Sequence, residues 1–193
     1  SLFSLFYMGT SYLTSYGTAQ LGLARRDILL VGMVAAVVFG GAIAASAAIS
    51  DRIGRTKVIL TSTVLAVLWT PVLFWVLDFG TIWHFGIGLT VTMVVFGISY
   101  GPAGAMLPEM FRVDLRYTGA GLAYNIAAIL GGAIPPLIAA PLAEAYGGFA
   151  VGIFLAAISL TSCIAVTRIR SNHEDDIDEH SQLVRESDGL AKP

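Results

Sequence analysis

Gly97-Ile98-Ser99-Tyr100-Gly101 has the G-x-S-x-G spacing that in many hydrolases presents a nucleophilic serine. Such a serine needs a base within hydrogen-bond reach. On a shared helix the 15 residues between His84 and Ser99 amount to roughly 22 Å at 1.5 Å per residue. No proton is passed across that gap, and residues 117–142 and 145–167 hold no histidine that could come from another helix. Ser99 is therefore read as a small helix residue, and the intramembrane serine protease reading fails on its base. His173 and His180 bracket an acidic cluster, but their spacing matches no ligand pattern, so neither a metal nor another cofactor is expected.

Two other groups could do chemistry of a different kind. Asp51-Arg52-Ile53-Gly54-Arg55-Thr56-Lys57 ties a knot of charge between two apolar runs. Tyr7, Tyr12, Tyr100, Tyr124 and Asn125 are neutral hydrogen-bonding side chains inside such runs, suited to a polar solute or to bonds between helices.

The elements that carry these residues follow from composition. Of the 193 residues 56% are hydrophobic and 12% charged, against roughly 25% charged in soluble domains. Mean hydropathy is +0.78. Residues 1–24, 28–50, 58–77, 79–108, 117–142 and 145–167 contain no Asp, Glu, Lys or Arg. Each is long enough for the roughly 20 residues a helix needs to cross a bilayer. The chain is expected to be an all-α membrane protein with six transmembrane helices, near 1–18, 28–50, 58–77, 82–107, 117–142 and 147–168. Membrane lipid is its expected surrounding, and no nucleic acid its partner.

The connections alternate between two sides. Side A holds Arg25 and Arg26; side B holds Arg52, Arg55, Lys57, Arg112, Arg116, Arg168 and Arg170. The positive-inside rule places side B in the cytoplasm of a multi-pass cell-membrane protein, with the C-terminus there too. His84, beside Trp83, then falls at the outer interface, where aromatic belts form. Residues 171–193 carry seven acids against Arg185 and Lys192, without apolar periodicity, and are expected to be a disordered acidic cytoplasmic tail. Cys163, the single cysteine, has no partner for an internal disulfide and reads as a small apolar filler.

Within the spans, small residues such as Gly40, Gly41, Ala44, Ala45 and Ala48 let helix backbones approach. Gly101-Pro102 in the fourth span, and Gly131-Gly132 with Pro135-Pro136 in the fifth, are expected to bend or break their helices, as at a transport path. No carboxylate, Lys or Arg lies near the middle of a span, so a coupled proton would need a group outside these residues.

Asp51-Arg52-Ile53-Gly54-Arg55 resembles the Asp-Arg-x-Gly-Arg loop signature of the major facilitator superfamily. Pro108-Glu109-Met110-Phe111 through Leu115-Arg116-Tyr117-Thr118-Gly119-Ala120-Gly121-Leu122-Ala123-Tyr124 resembles the connection between the tenth and eleventh helices of its metabolite:proton symporters. The likeness continues through Ala128-Ile129-Leu130-Gly131-Gly132 and Pro136-Leu137-Ile138-Ala139, and through Leu21-Gly22-Leu23-Ala24-Arg25. Ala47 and Thr56 depart from the loop pattern, and Arg112-Val113-Asp114 stands where Pro-Thr-Arg is common.

The resemblance implies the C-terminal six-helix half of a twelve-helix transporter, with the N-terminal half as partner. It implies proton-coupled movement of a small metabolite (carboxylate, zwitterion or betaine) by alternating access. Asp51, Arg52, Gly54, Arg55, Glu109 and Arg116 would form a cytoplasmic gate, and Tyr7, Tyr100, Tyr124 and Asn125 would line the substrate path, with His84 and Ser99 on the same spans. The alternatives left open are a six-helix carrier working as a homodimer and a nonfunctional remnant.

Overall fold

In lipid every backbone N–H and C=O must find its partner within the chain, which leaves helices as the form for long apolar runs. The computed structural model describes residues 2–112 and 115–168, and no strand occurs among them. The acidic tail expected over 171–193 lies outside the described residues. The helices are α1 Leu2–Tyr7, a π-helical segment Met8–Tyr12, α2 Leu13–Ala19, α3 Arg25–Ile53, α4 Arg55–Leu77, α5 Ile82–Glu109, α6 Arg116–Tyr146 and α7 Gly148–Arg168. The last five are each long and apolar enough to cross a membrane. Leu2–Ala19 is one continuous helical rod built of three pieces, packed beside them.

The helices run past the apolar stretches into the charged ones. Asp51 and Arg52 still belong to α3 and Arg55 already to α4, so the charged knot is a turn of one residue, Gly54. Its φ of 97° is open to glycine and strained for any residue with a Cβ. Gly147, at φ 81°, makes the same one-residue break between α6 and α7. Charged side chains do not end a helix; left-handed backbone does.

α5 is the hub, packed along α3 and α4 and touching α1 and α6. It meets α3 where two glycines remove the side-chain layer: a Cβ on Gly97 would press on Ala42 and Phe39, and one on Gly101 on Ser46 and the Ile43 carbonyl. Ser46 Oγ donates to the Gly97 carbonyl at 3.1 Å, and Trp69 Nε1 on α4 donates to Thr92 Oγ1 on α5 at 2.9 Å. Between membrane helices such bonds contribute on average about 0.6 kcal/mol each, so close packing holds the bundle more than they do.

The bends or breaks expected at prolines do not amount to full breaks. α5 runs unbroken through Gly101, Pro102 and Pro108, and α6 through Gly131, Gly132, Pro135, Pro136 and Pro141. A proline removes one helix bond, while a full break in lipid would strand several backbone groups. The glycines serve close approach instead: Gly131 faces Phe3 and Ser4, and Gly132 seats the Tyr7 ring. The irregular backbone lies in the first rod, at Met8–Tyr12, where Gly9 lets Met93 of α5 approach.

The larger of two buried clusters lies towards side A. Phe74, Leu73 and Leu77 of α4, Phe85, Leu89 and Met93 of α5, and Leu13, Ile28, Val151 and Leu155 all bury in one cluster. Every one lies in the half of its helix nearer side A. Only 11% of the most apolar stretch of α3 and of α6 is buried, against 44% in α4 and 50% in α5, so the second and fifth spans turn broad apolar faces outward.

Candidate transport path and charged end cluster

At side B three helix ends meet on one guanidinium. Arg55, the first residue of α4, pairs through Nη1 with Glu109 Oε1, the last residue of α5. Its Nη2 stands 3.7 Å from Asp51 Oδ1 in the last turn of α3. Gly54 makes this possible, because its turn brings Arg55 back over Asp51 while its N–H still closes α3 on the Ser50 carbonyl at 2.9 Å. The Arg55 side chain is 31% exposed and its partners are 68% and 58% exposed, so water screens the cluster. Each such pair contributes on the order of 0–1 kcal/mol. Arg52 makes no ion pair among the described residues, and Arg116 does not join the cluster. Asp51 turns to Arg55 and caps neither neighbouring helix, Gly54 being the residue before α4 with no side-chain cap.

Beside the cluster a cavity of about 1130 Å³ opens in the side B half of the bundle. Its walls come from the start of α1 (Leu2, Phe3), from α4 (Ile59, Thr63), from the Tyr100–Pro108 stretch of α5, from α6 between Arg116 and Gly131, and from Ser162, Ala165 and Val166 of α7. Tyr100 and Tyr124 cross its inner end with hydroxyls 2.8 Å apart, tying α5 to α6 where those helices otherwise touch little. Phe3 stands edge-on to Tyr124 at 4.8 Å. Asn125 donates Nδ2 to the Gly121 carbonyl at 2.8 Å, which fixes the amide and leaves its own oxygen as an acceptor for a solute.

The structure thus gathers Tyr100, Tyr124 and Asn125 around one space and leaves the other path residues outside its lining. Tyr7 lies on Gly132, the residue after Gly131 of the cavity wall. Tyr12 is buried and bonds the Ala139 carbonyl of α6 at 3.4 Å, a structural tie between the first rod and the fifth span. His84 sits at the far end of α5, its Nδ1 2.6 Å from Thr81 Oγ1 and its ring stacked on Phe79. Ser99 is buried in the helix, with no histidine beside it.

Sequence reasoning missed the place of Arg116, which lines the cavity mouth, and of Thr63 and Ser162, its hydroxyl-bearing walls. Thr63 and Ser162 stand on peripheral apolar runs where a hydroxyl carries no signal of what it faces.

Long apolar helices, an uncharged interior, a one-sided cavity and an ion cluster at its rim define a polytopic membrane protein of the transporter class. The chain belongs to the Sugar (and other) transporter family, whose model matches residues 2–169, within the major facilitator superfamily. It is 37% identical over 169 residues to the inner membrane metabolite transport protein YhjE of Escherichia coli, covering 85% of this chain and 38% of that protein. It is 34% identical to a citrate-proton symporter of Salmonella typhi over 74% of this chain and 33% of that one. It is 29% identical to the proline/betaine transporter of Escherichia coli over 69% of this chain and 27% of the relative. The chain therefore spans less than half the length of these curated relatives and matches their C-terminal part. They are transporters, not enzymes. No solved structure matches it.

Proposed function

We propose that this chain is the C-terminal half of a secondary active carrier for a small polar metabolite, of the carboxylate, zwitterion or betaine class, driven by proton symport. The observation that supports this reading is the asymmetry of the bundle, with its larger apolar cluster towards side A and its cavity at side B beside an ion cluster. Alternating access needs one end of each half to keep its shape while the other opens and closes.

Side B is the cytoplasmic face in this proposal. Asp51, Arg55 and Glu109, turned by Gly54, form the gate contacts of that face. Arg52 is placed to meet a partner across it. Tyr100, Tyr124 and Asn125 line the route, and Tyr7 continues it towards the outward apolar faces. Those faces, on α3 and α6, are where the N-terminal six-helix half would pack. The proton-carrying group belongs to that half, because among the described residues the carboxylates Asp27, Asp51, Asp78, Glu109 and Glu144 all sit at or near helix ends. The test is uptake of labelled citrate, shikimate and glycine betaine by the complete carrier in proteoliposomes with an imposed pH gradient. Saturable uptake abolished by a protonophore supports the reading; none for all three removes it. Residues 1–193 alone are expected not to transport, whereas gradient-driven uptake by them would favour a homodimeric carrier.

A further inference from the structure

Among the described residues Arg116 contributes the only charged side chain to the cavity lining, and it has no ion pair or hydrogen bond there. Leu107, Pro108, Tyr117 and Ala120 share this lining and offer no acceptor side chain except the Tyr117 hydroxyl. Arg116 is exposed at the mouth, so its guanidinium is open to a solute there and carries no counter-charge of its own among the described residues. Arg55, by contrast, is already engaged by Glu109 and Asp51. The next polar groups inward, Tyr124 and Asn125, are neutral. Tyr124 lies eight residues along α6, roughly 12 Å at 1.5 Å per residue.

We propose that Arg116 is a specificity-determining residue, holding the carboxylate of the transported solute at the side B mouth before it reaches the tyrosine pair. This rests on the transport reading above. The planar guanidinium fork matches a carboxylate with two parallel hydrogen bonds, which a neutral solute or an ester cannot supply. The cavity then works as two stations in series: an anion contact at the mouth that selects, and a neutral hydrogen-bonding station at the inner end that lets the solute move on. Two strong ionic sites in series would hold it; one at the mouth draws it in and releases it.

The test uses the complete carrier in inside-out vesicles with side B facing the medium, and citrate and glycine betaine as probes. Arg116→Gln should raise the half-saturation concentration at side B at least about tenfold, with a smaller change in maximal rate. Arg116→Lys should recover part of the loss. The trimethyl ester of citrate should compete equally weakly against the unsubstituted carrier and the Gln variant, whereas citrate should lose potency in the variant alone. Unchanged half-saturation in a Gln variant of normal thermal stability overturns the proposal. So does an effect that follows the anionic-lipid content of the vesicles and not the solute, which would make the mouth a lipid headgroup site. If the unsubstituted carrier moves neither probe, the transport reading itself falls.

Discussion

The two ends of this bundle are built on opposite plans. At side A, Phe74, Leu77, Phe85 and Leu89 bury in one cluster with Ile28, Leu13, Val151 and Leu155. Gly152 there brings α7 onto the α4 backbone, so closely that a Cβ would stand 2.7 Å from the Thr70 carbonyl. At side B a cavity lies among α1, α4, α5, α6 and α7, an exposed ion cluster ties the ends of α3, α4 and α5, and one pair of tyrosine hydroxyls ties α5 to α6, while α5 stays close to α3 at Gly97 and Gly101. Interlocked side chains cannot slide past one another without opening voids, whereas screened ion pairs exchange for water at little cost. In the carrier proposed above, side A is the pivot and side B the working end.

The contrast is broken most sharply by emptying each end in turn. Phe74→Ala removes a fully buried ring and should cost about 3–5 kcal/mol, read as a loss of thermal stability in detergent. Leu107→Ala, whose side chain already borders the cavity, should cost less than about 1 kcal/mol. Equal losses would mean that the side B space is filled in the working protein.

Filling the two ends gives the next largest difference. Gly152→Val collides with the α4 backbone and should destabilise by about 1–3 kcal/mol. Gly104→Val meets nothing within 4 Å and should leave stability alone while narrowing the cavity and slowing transport. A Gly104→Val carrier with unchanged rate would show that the solute does not pass there.

Much of this contrast lies outside what a sequence can announce. Charge-free runs announce spans because lipid punishes charge along a whole helix, and the knot at Asp51–Lys57 announces a turn because Gly54 stands in it. Which end is packed and which hollow depends on how six faces meet, and Phe74 and Leu107 look alike as letters in an apolar run. The prolines are ambiguous for a related reason. Pro102, Pro135 and Pro136 mark where a helix could bend or break, and both helices stay continuous through them. The irregular turn falls instead at Met8–Tyr12, where only Gly9 hints at close approach to α5. Arg116 went to the gate in the sequence reading because it shares a side with Arg55 and Glu109; only geometry separates the mouth of a cavity from its rim.

Smaller changes sharpen the account of side B. Tyr124→Phe deletes the hydroxyl pair with Tyr100 and should cost about 1 kcal/mol of stability, with a several-fold loss of transport. A transport loss without any change in stability would make the pair a solute contact only. Arg55→Ala and Glu109→Ala each break the ion cluster and should move stability by no more than about 1 kcal/mol. The same energy placed on a two-state equilibrium changes the ratio of open to closed side B by up to about fivefold, which spin-label distances across that face would register. Arg55→Glu combined with Glu109→Arg should restore part of the closed population. Transport and distances unchanged in both alanine variants would reduce the cluster to a marker of orientation.

The claim that side B is the moving, cytoplasmic mouth is tested most directly by thiol accessibility in the complete carrier with Cys163 replaced by serine. Single cysteines go at Gly104 in the cavity wall, at Thr56 beside the ion cluster and at Asp78 in the side A turn. A membrane-impermeant maleimide is then offered to right-side-out and inside-out vesicles. The account predicts that Gly104→Cys and Thr56→Cys react only in inside-out vesicles, that Asp78→Cys reacts only in right-side-out ones, and that breaking the Arg55–Glu109 pair speeds reaction at Gly104→Cys alone. Labelling of Gly104→Cys from the side that reaches Asp78→Cys, or at a rate indifferent to the ion pair, would contradict it.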